Sequence, residues 1–329
     1  MQDFRFVVVG SGNMASMYAR VLGELPGVEL VGTVSRSGNR PKGVAASVPC
    51  APSLSDVPVP FDGVIVATPN GLHHAVALEA AKLGKHVLTE KVLDVTTEAM
   101  DTMISACRAA EVKLGVAFQR RMSPDNRVVK QLLDEGELGR IFGADLVVKF
   151  FRDQAYYDSA SYRGNRTLDG GGPFMQQAAH NVDIYVWFFG LPAKVASAMD
   201  TFCHDMEGED HGAALLRYED GMVGTIIAST ACKPGFPARL EIHAEKGTVV
   251  LENDAITVWE VEGLENPSAT GDAKIHDGAS SASVSDTAGH EAIIADFVQA
   301  VRDDRDPIVA GEDARRATDL ILRIYDSAL

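Results

Sequence analysis

The sequence predicts a two-domain α/β protein, with a doubly wound parallel sheet over residues 1–121 and a second α/β domain with a largely antiparallel sheet over residues 122–329. Three observations carry that expectation. Short apolar runs alternate with helical patterns as far as Arg121, the order that builds a parallel sheet. The first of those runs breaks into a glycine turn and then a helix. Beyond Arg121 strand-like runs dominate, with turn pairs between neighbours.

The elements follow in order. Arg5–Val9 is an apolar strand that runs into Gly10, Ser11, Gly12, Asn13, Met14 and Ala15. Gly10 permits a tight turn, Gly12 lets backbone approach a pyrophosphate, and Ala15 is small enough for close helix–strand packing. The helix opening near Asn13 and Met14 points N–H groups and a positive dipole end at any phosphate there. The pattern is that of a dinucleotide site; its alternative is a strand–turn–helix without a ligand. Glu29–Val34 is the second strand, and an NAD site usually places an acid after it to hold the ribose hydroxyls. Here Ser35 and Arg36 fill that place, with Arg40 and Lys42 behind. A missing acid and an added base both favour NADP over NAD, against the alternative of a solvated basic turn.

Phe61–Ala67, Lys85–Thr89 and Lys113–Phe118 read as further strands, with helices over His73–Leu83 and Thr97–Ala110, the latter capped by Thr96 or Thr97. Ser123–Pro124 opens a helix that ends near Gly136. Strands follow at Ala144–Phe151, Lys194–Phe202, Gly212–Tyr218, Met222–Ala228, Arg239–Ala244, Thr248–Leu251 and Ala255–Val261, with hairpin turns at Asp220–Gly221 and Lys246–Gly247. Glu262 to Gly289 reads as a long, mobile connection, and helices over His290–Arg302 and Asp313–Ala328 close the chain.

Two constellations can carry chemistry. Thr89-Glu90-Lys91 ends a strand on the edge where a doubly wound sheet presents its ligands. A lysine there can hold a substrate hydroxyl and favour its alkoxide character, or it can be one half of an ordinary Glu–Lys pair. Asp169-Gly170-Gly171-Gly172-Pro173 precedes a helix read as starting at Pro173 and carrying Gln176, His180, Asp183 and Trp187 along one face. His180 can exchange the hydroxyl proton, with Asp183 orienting or charge-stabilising its ring; the alternative is a satisfied core histidine. Tyr156–Tyr157 and Tyr162–Arg166, including Arg163, lie in the loop before that turn, as pocket-lining residues or as a surface loop.

Composition narrows the partners. A net charge of −16 argues against nucleic acid and anionic membranes, and no apolar run approaches the about 20 residues that span a bilayer. The chain begins a strand almost at once, without the pattern of a secretory signal. Four scattered cysteines fit reduced thiols in a cytoplasmic protein. His73, His74, His204, His211 and His243 lack metal-ligand spacing, so no metal is expected.

Together these motifs resemble the glucose–fructose oxidoreductase, inositol dehydrogenase and rhizopine-catabolism family, Gfo/Idh/MocA, over nearly the whole chain. The glycine turn at Gly10–Ala15, Thr68-Pro69-Asn70 with His73, Gly84–Lys91, Arg163–Gly164, Asp169–Gly172, His180–Asp183, Gly311–Asp313 and Ile324–Ala328 carry the resemblance. It implies an N-terminal Rossmann domain and a C-terminal α/β domain whose open sheet face forms a homodimer or homotetramer contact. Thr68, Pro69, Asn70, His73, Glu90 and Lys91 join the cofactor set; Lys91, Arg163, Gln176 and His180 form the substrate set; Lys91 and His180 are catalytic. The implied reaction is reversible hydride transfer between nicotinamide and a hydroxyl carbon of a sugar or polyol. Two departures stand out. Val92 occupies the family's proline position, which argues against a cis peptide there. Gln176 replaces the aspartate of inositol-dehydrogenase-like members, which tilts the expectation towards sugar or nucleotide-sugar substrates. The competing reading is an inactive nicotinamide-binding sensor on the same fold.

Overall fold

The structure, a computed structural model, describes residues 2–268 and 287–329. It divides into two compact units, residues 2–119 with 287–315, and residues 120–268 with 316–329. Most of the connection expected over 262–289 lies outside the described residues.

The first unit is built on six strands: β1 (Phe4–Val9), β2 (Val28–Val34), β3 (Cys50–Ala51), β4 (Gly63–Val66), β5 (His86–Thr89) and β6 (Leu114–Val116), in the order β3-β2-β1-β4-β5-β6. All five adjacent pairs are parallel. Parallel strands are covered on both faces, so they read as unbroken apolar runs, and Phe6, Val7, Val8, Val64, Ile65 and Val87 are fully buried. Helices α1 (Asn13–Glu24), α2 (His73–Lys82) and α3 (Thr97–Ala109) connect the strands. Thr96 caps α3, its hydroxyl accepting the Ala99 N–H at 3.2 Å. The strand order reverses between β1 and β4, which opens the ligand crevice beyond their carboxyl ends.

The second unit contains α4 (Pro124–Asp134), β7 (Ile141–Lys149), α5 (Gln154–Asp158), α6 (Ala179–Phe189), β8 (Lys194–Asp200), β9 (His211–Arg217), β10 (Val223–Ser229), β11 (Arg239–Ala244), β12 (Gly247–Glu252) and β13 (Ala255–Val261). Its sheet runs β13-β12-β11-β7-β10-β9-β8, antiparallel except for β7 beside β10. The hairpins turn at Glu219–Asp220 and Glu245–Lys246, one residue before the pairs expected, and Gly247 is already paired with Ala244 as the first residue of β12. Burial alternates along β7 and β9, the signature of a sheet packed on one face only. Leu215 and Val223 lie on the other face, 54% and 41% exposed. Helix α7 (Ala288–Arg302) belongs to the first unit, where Phe297 packs so closely on β6 that a Cβ on Gly115 would meet its ring at 2.7 Å. Helix α8 (Gly311–Asp326) ends the chain. Among the described residues no helix is long and apolar enough to cross a membrane.

Two expectations need correction. The helix read from Pro173 begins at Ala179, which leaves Gln176 in the turn before it. The N–H groups of Gln176 and Gln177 bond four residues back, but that of Ala178 bonds five back, to Pro173 O, and this change of spacing interrupts the α-helix. The Lys91–Val92 peptide is cis. Residue type alone argued for trans; here Val92 is fully buried and its carbonyl is engaged by His73, so tertiary contacts surround the bond.

Candidate active site

The candidate residues of the first unit lie along the carboxyl edge of the parallel sheet. Gly10 has φ +125°, and a Cβ there would stand 2.4 Å from Ala67 O, so the β1 turn is closed directly against the end of β4. A Cβ on Gly12 would meet nothing within 4 Å. Gly12 is the N-cap of α1, the first turn carries no acid, and Asn13 is exposed while Met14 is half-buried. Open space in front of unencumbered helix N–H groups is what a pyrophosphate requires. These residues fit the dinucleotide.

The loop after β2 folds back towards that helix end. Ser35 to Gly38 form a tight turn, closed by Gly38 N–H to Ser35 O at 3.0 Å and with Gly38 at φ +72°. Arg36 is exposed on the turn, and Lys42 N–H donates to Ser16 Oγ on α1 at 2.9 Å. Arg40 is tied by its guanidinium to Val48 O.

Thr68, Pro69 and Asn70 follow β4, and Glu90 and Lys91 follow β5. Glu90 turns inward. Its Oε1 accepts the Tyr18 hydroxyl at 2.5 Å, and its Oε2 accepts the Lys91 N–H at 3.2 Å. Burial, then the Glu90 charge beside it, holds the Tyr18 phenol well above its ordinary value, so that proton stays in place. His73 is fully buried, its Nδ1 2.8 Å from Val92 O and its Nε2 3.0 Å from Thr68 O. Burial pushes its pKa below that of an ordinary histidine, against the opposing pull of the two carbonyls, Asp94 and Glu90.

The second unit holds its own group of candidate residues. Glu209, buried under the glycine turn, accepts the N–H groups of Gly172 at 3.0 Å and Phe174 at 3.2 Å and the hydroxyl of Tyr325 at 3.0 Å. Burial raises its pKa despite these bonds. A Cβ on Gly172 would sit 1.7 Å from Glu209 O, and one on Gly171 2.4 Å from Tyr325 Oη. Asp169 accepts the Gly164 N–H at 3.0 Å, and the Gln176 amide donates to Asp169 O. The glycines are therefore demanded by packing against Glu209 and Tyr325. Gly172→Ala is expected to destabilise the protein by about 3 kcal/mol, measured by urea unfolding; an unchanged midpoint would show that the turn can shift without cost.

His180 stands half-buried in the first turn of α6. Asp183, fully buried one turn later, gives both carboxylate oxygens to Arg121, at 2.8 Å from Nε and 2.6 Å from Nη2. The carboxylate expected to orient the histidine ring thus faces a guanidinium, which itself lies over Trp187 at 5.5 Å. In the loop before the turn, Arg163 stacks on Tyr156 at 4.1 Å. Spacing missed Tyr18, Arg121, Glu209 and Tyr325. No local pattern signals them; Arg121 and Glu209 even lie in polar stretches, Gln119–Ser123 and Asp205–His211.

Comparison with known proteins places the chain. Residues 4–118 match the domain described as "Oxidoreductase family, NAD-binding Rossmann fold", and residues 126–250 match the "GFO/IDH/MocA C-terminal domain". The chain belongs to the Gfo/Idh/MocA family. It is an NAD(P)-dependent oxidoreductase of the class that acts on CH–OH groups of sugars and polyols. Among solved structures it is similar to the WlbA dehydrogenase of Bordetella pertussis in complex with NADH and UDP-GlcNAcA, with TM-score 0.84 and 29% identity, covering 99% of this chain and 96% of that one. Among characterised sequences it is 25% identical over 320 residues to 1,5-anhydro-D-fructose reductase of Ensifer adhaerens, covering 94% of this chain and 91% of that protein. It is also 27% identical over 253 residues to scyllo-inositol 2-dehydrogenase (NADP(+)) IolU of Bacillus subtilis (strain 168), covering 75% and 76%.

Proposed function

We propose that this chain is an NADP-preferring dehydrogenase or reductase acting on a hydroxyl or keto carbon of a sugar, with nucleotide sugars the favoured class. The observation that carries the cofactor preference is the Ser35–Gly38 turn, which presents Arg36 after β2 where an NAD site would hold an acid. The substrate class is supported by Gln176, a neutral amide bonded into the Asp169 turn, and by the similarity to a dehydrogenase solved with a nucleotide sugar.

Gly10, Gly12, Asn13 and Met14 would hold the pyrophosphate, Ser35 and Arg36 the adenosine ribose, and the Thr68–Asn70 loop with Glu90–Lys91 the nicotinamide end. When bound, the nicotinamide accepts or supplies the hydride. Lys91 holds the reacting oxygen and stabilises its alkoxide character, and His180 takes or returns its proton. Arg163 and Gln176 orient the remainder of the substrate. Asp183 serves by fixing Arg121 and α6. The open face of the second sheet, with Leu215 and Val223 exposed, is the surface through which copies of the chain associate into a homodimer or homotetramer.

The test is a titration with NADPH and NADH, read by nucleotide fluorescence, on the wild type and on Arg36→Asp. The wild type should bind NADPH more tightly, and the substitution should weaken NADPH binding by about tenfold more than NADH binding, because it sets a like charge against the 2′-phosphate. Equal losses for the two cofactors would remove Arg36 from the site.

A further inference from the structure

Two consecutive histidines at the start of α2 reach across to the segment that follows Lys91. His73 places Nδ1 2.8 Å from Val92 O and Nε2 3.0 Å from Thr68 O. His74 donates its backbone N–H to Asp94 Oδ2 at 3.0 Å, and its ring Nδ1 lies 2.9 Å from the same oxygen. Asp94 is buried, and its Oδ1 accepts the Val95 N–H at 2.7 Å. Helix α2 has no side-chain cap and no acid in its first turn, so Asp94 supplies the carboxylate its amino end lacks. The chain on both sides of the nicotinamide end, Thr68 from β4 and Val92 just after Lys91, is thereby tied to one rigid helix. His73 is wholly shielded from solvent, and both ring nitrogens face backbone carbonyls. A neutral imidazole carries a single N–H, and the positioning role below requires it on Nδ1, donating to Val92 O.

We propose that His73 is a positioning residue: through its bond to Val92 O it sets where Lys91 stands, in place of the direct cofactor contact that the family resemblance implies. The proposal rests on the reading of Lys91 as the group that holds the reacting oxygen. A catalytic group displaced by about 1 Å loses about a hundredfold in rate even when binding is intact, so the consequence is a fall in kcat with cofactor affinity preserved.

Three substitutions test it. The amide nitrogen of Asn can occupy the place of Nδ1 and still donate to Val92 O, that of Gln can occupy the place of Nε2 and reach only Thr68 O, and Leu replaces both with apolar volume. Turnover is followed with whichever of UDP-GlcNAcA, scyllo-inositol, levoglucosan and 1,5-anhydro-D-fructose the wild type converts fastest. NADPH and NADH affinities are measured by nucleotide fluorescence, and thermal melting checks folding. His73→Leu and His73→Gln should each lose about a hundredfold in kcat, with cofactor dissociation constants within about threefold of wild type. His73→Asn should stay within about tenfold of wild-type kcat. Wild-type kcat in His73→Leu, equal losses for Asn and Gln, or a loss of cofactor affinity that parallels the loss of kcat would each overturn the proposal. If the Leu variant does not fold, the Asn–Gln comparison decides alone. Lys91→Ala is run alongside: retained turnover there defeats the reading of Lys91, whereas its loss combined with a wild-type His73→Leu defeats only the positioning role.

Discussion

Replacing Lys91 by Ala should lower turnover by about a thousandfold while moving the NADPH dissociation constant by less than about threefold. The ammonium group is the one cation delivered by the Glu90–Lys91 strand end, and its effect is realised when charge develops on the substrate oxygen, which places the loss in kcat. The backbone that carries it has hydrogen bonds of its own. The Lys91 N–H is bonded to Glu90, Glu90 to Tyr18, and the Glu90 N–H to Val66 O at 2.8 Å. Alanine should therefore remove the ammonium without unseating the turn. Lys91→Arg is not expected to restore the rate, because a planar guanidinium does not reproduce a compact point charge. Steady-state kinetics on the purified variants reads the result, and wild-type kcat in Lys91→Ala would remove the residue from the chemistry.

Asp183→Asn should act on stability more than on chemistry. Arg121 and Asp183 form a bidentate pair in which both side chains are nearly inaccessible to solvent, at 3% and 0%. Taking the charge from one member leaves the other without its bidentate partner, a change that costs about 3–5 kcal/mol in buried pairs. In a protein of this size that corresponds to a drop in Tm of about 4–7 °C. Converting both members to apolar residues of similar volume, Arg121→Met with Asp183→Leu, should recover much of the loss, since a buried ion pair is often no better than apolar packing. Differential scanning calorimetry on the single and double variants reads this. If Asp183 instead acts by orienting His180, the Asn variant keeps its Tm, loses kcat, and gains nothing from the double change.

These two residues also mark how far the sequence could be read. The nucleotide-binding half was legible because its signals are local. Strand, glycine turn and helix follow within a dozen residues, and the apolar runs of β1, β4 and β5 have the continuity that burial on both faces imposes. The hairpins of the second unit were legible for the same reason, from turn pairs and alternation. The supports of the site were not. Tyr18 meets Glu90 across 72 positions, Arg121 meets Asp183 across 62, and Glu209 meets Gly172 across 37; no spacing rule reaches that far. The Asp169–Gly172 run shows the same divide. Its glycines signalled a turn, but the reason for them, a buried carboxylate and a tyrosine packed where side chains would stand, appears only in three dimensions. The intervals of three and four from Gln176 to Trp187 suggested one continuous helix face, yet the helix starts at Ala179 because the preceding turn changes its hydrogen-bond spacing.

Hydride transfer is the activity on which the roles of Lys91 and His180 depend. The most direct measurement follows nicotinamide absorbance at 340 nm with the purified protein, NADP+ or NAD+, and UDP-GlcNAcA, scyllo-inositol or levoglucosan, and with NADPH or NADH and 1,5-anhydro-D-fructose in the reverse sense. At least one of these compounds should be converted, faster with NADP(H) than with NAD(H), and the conversion should be lost in Lys91→Ala. A protein that binds both cofactors yet exchanges hydride with none of the compounds would contradict those roles and bring the sensor reading forward.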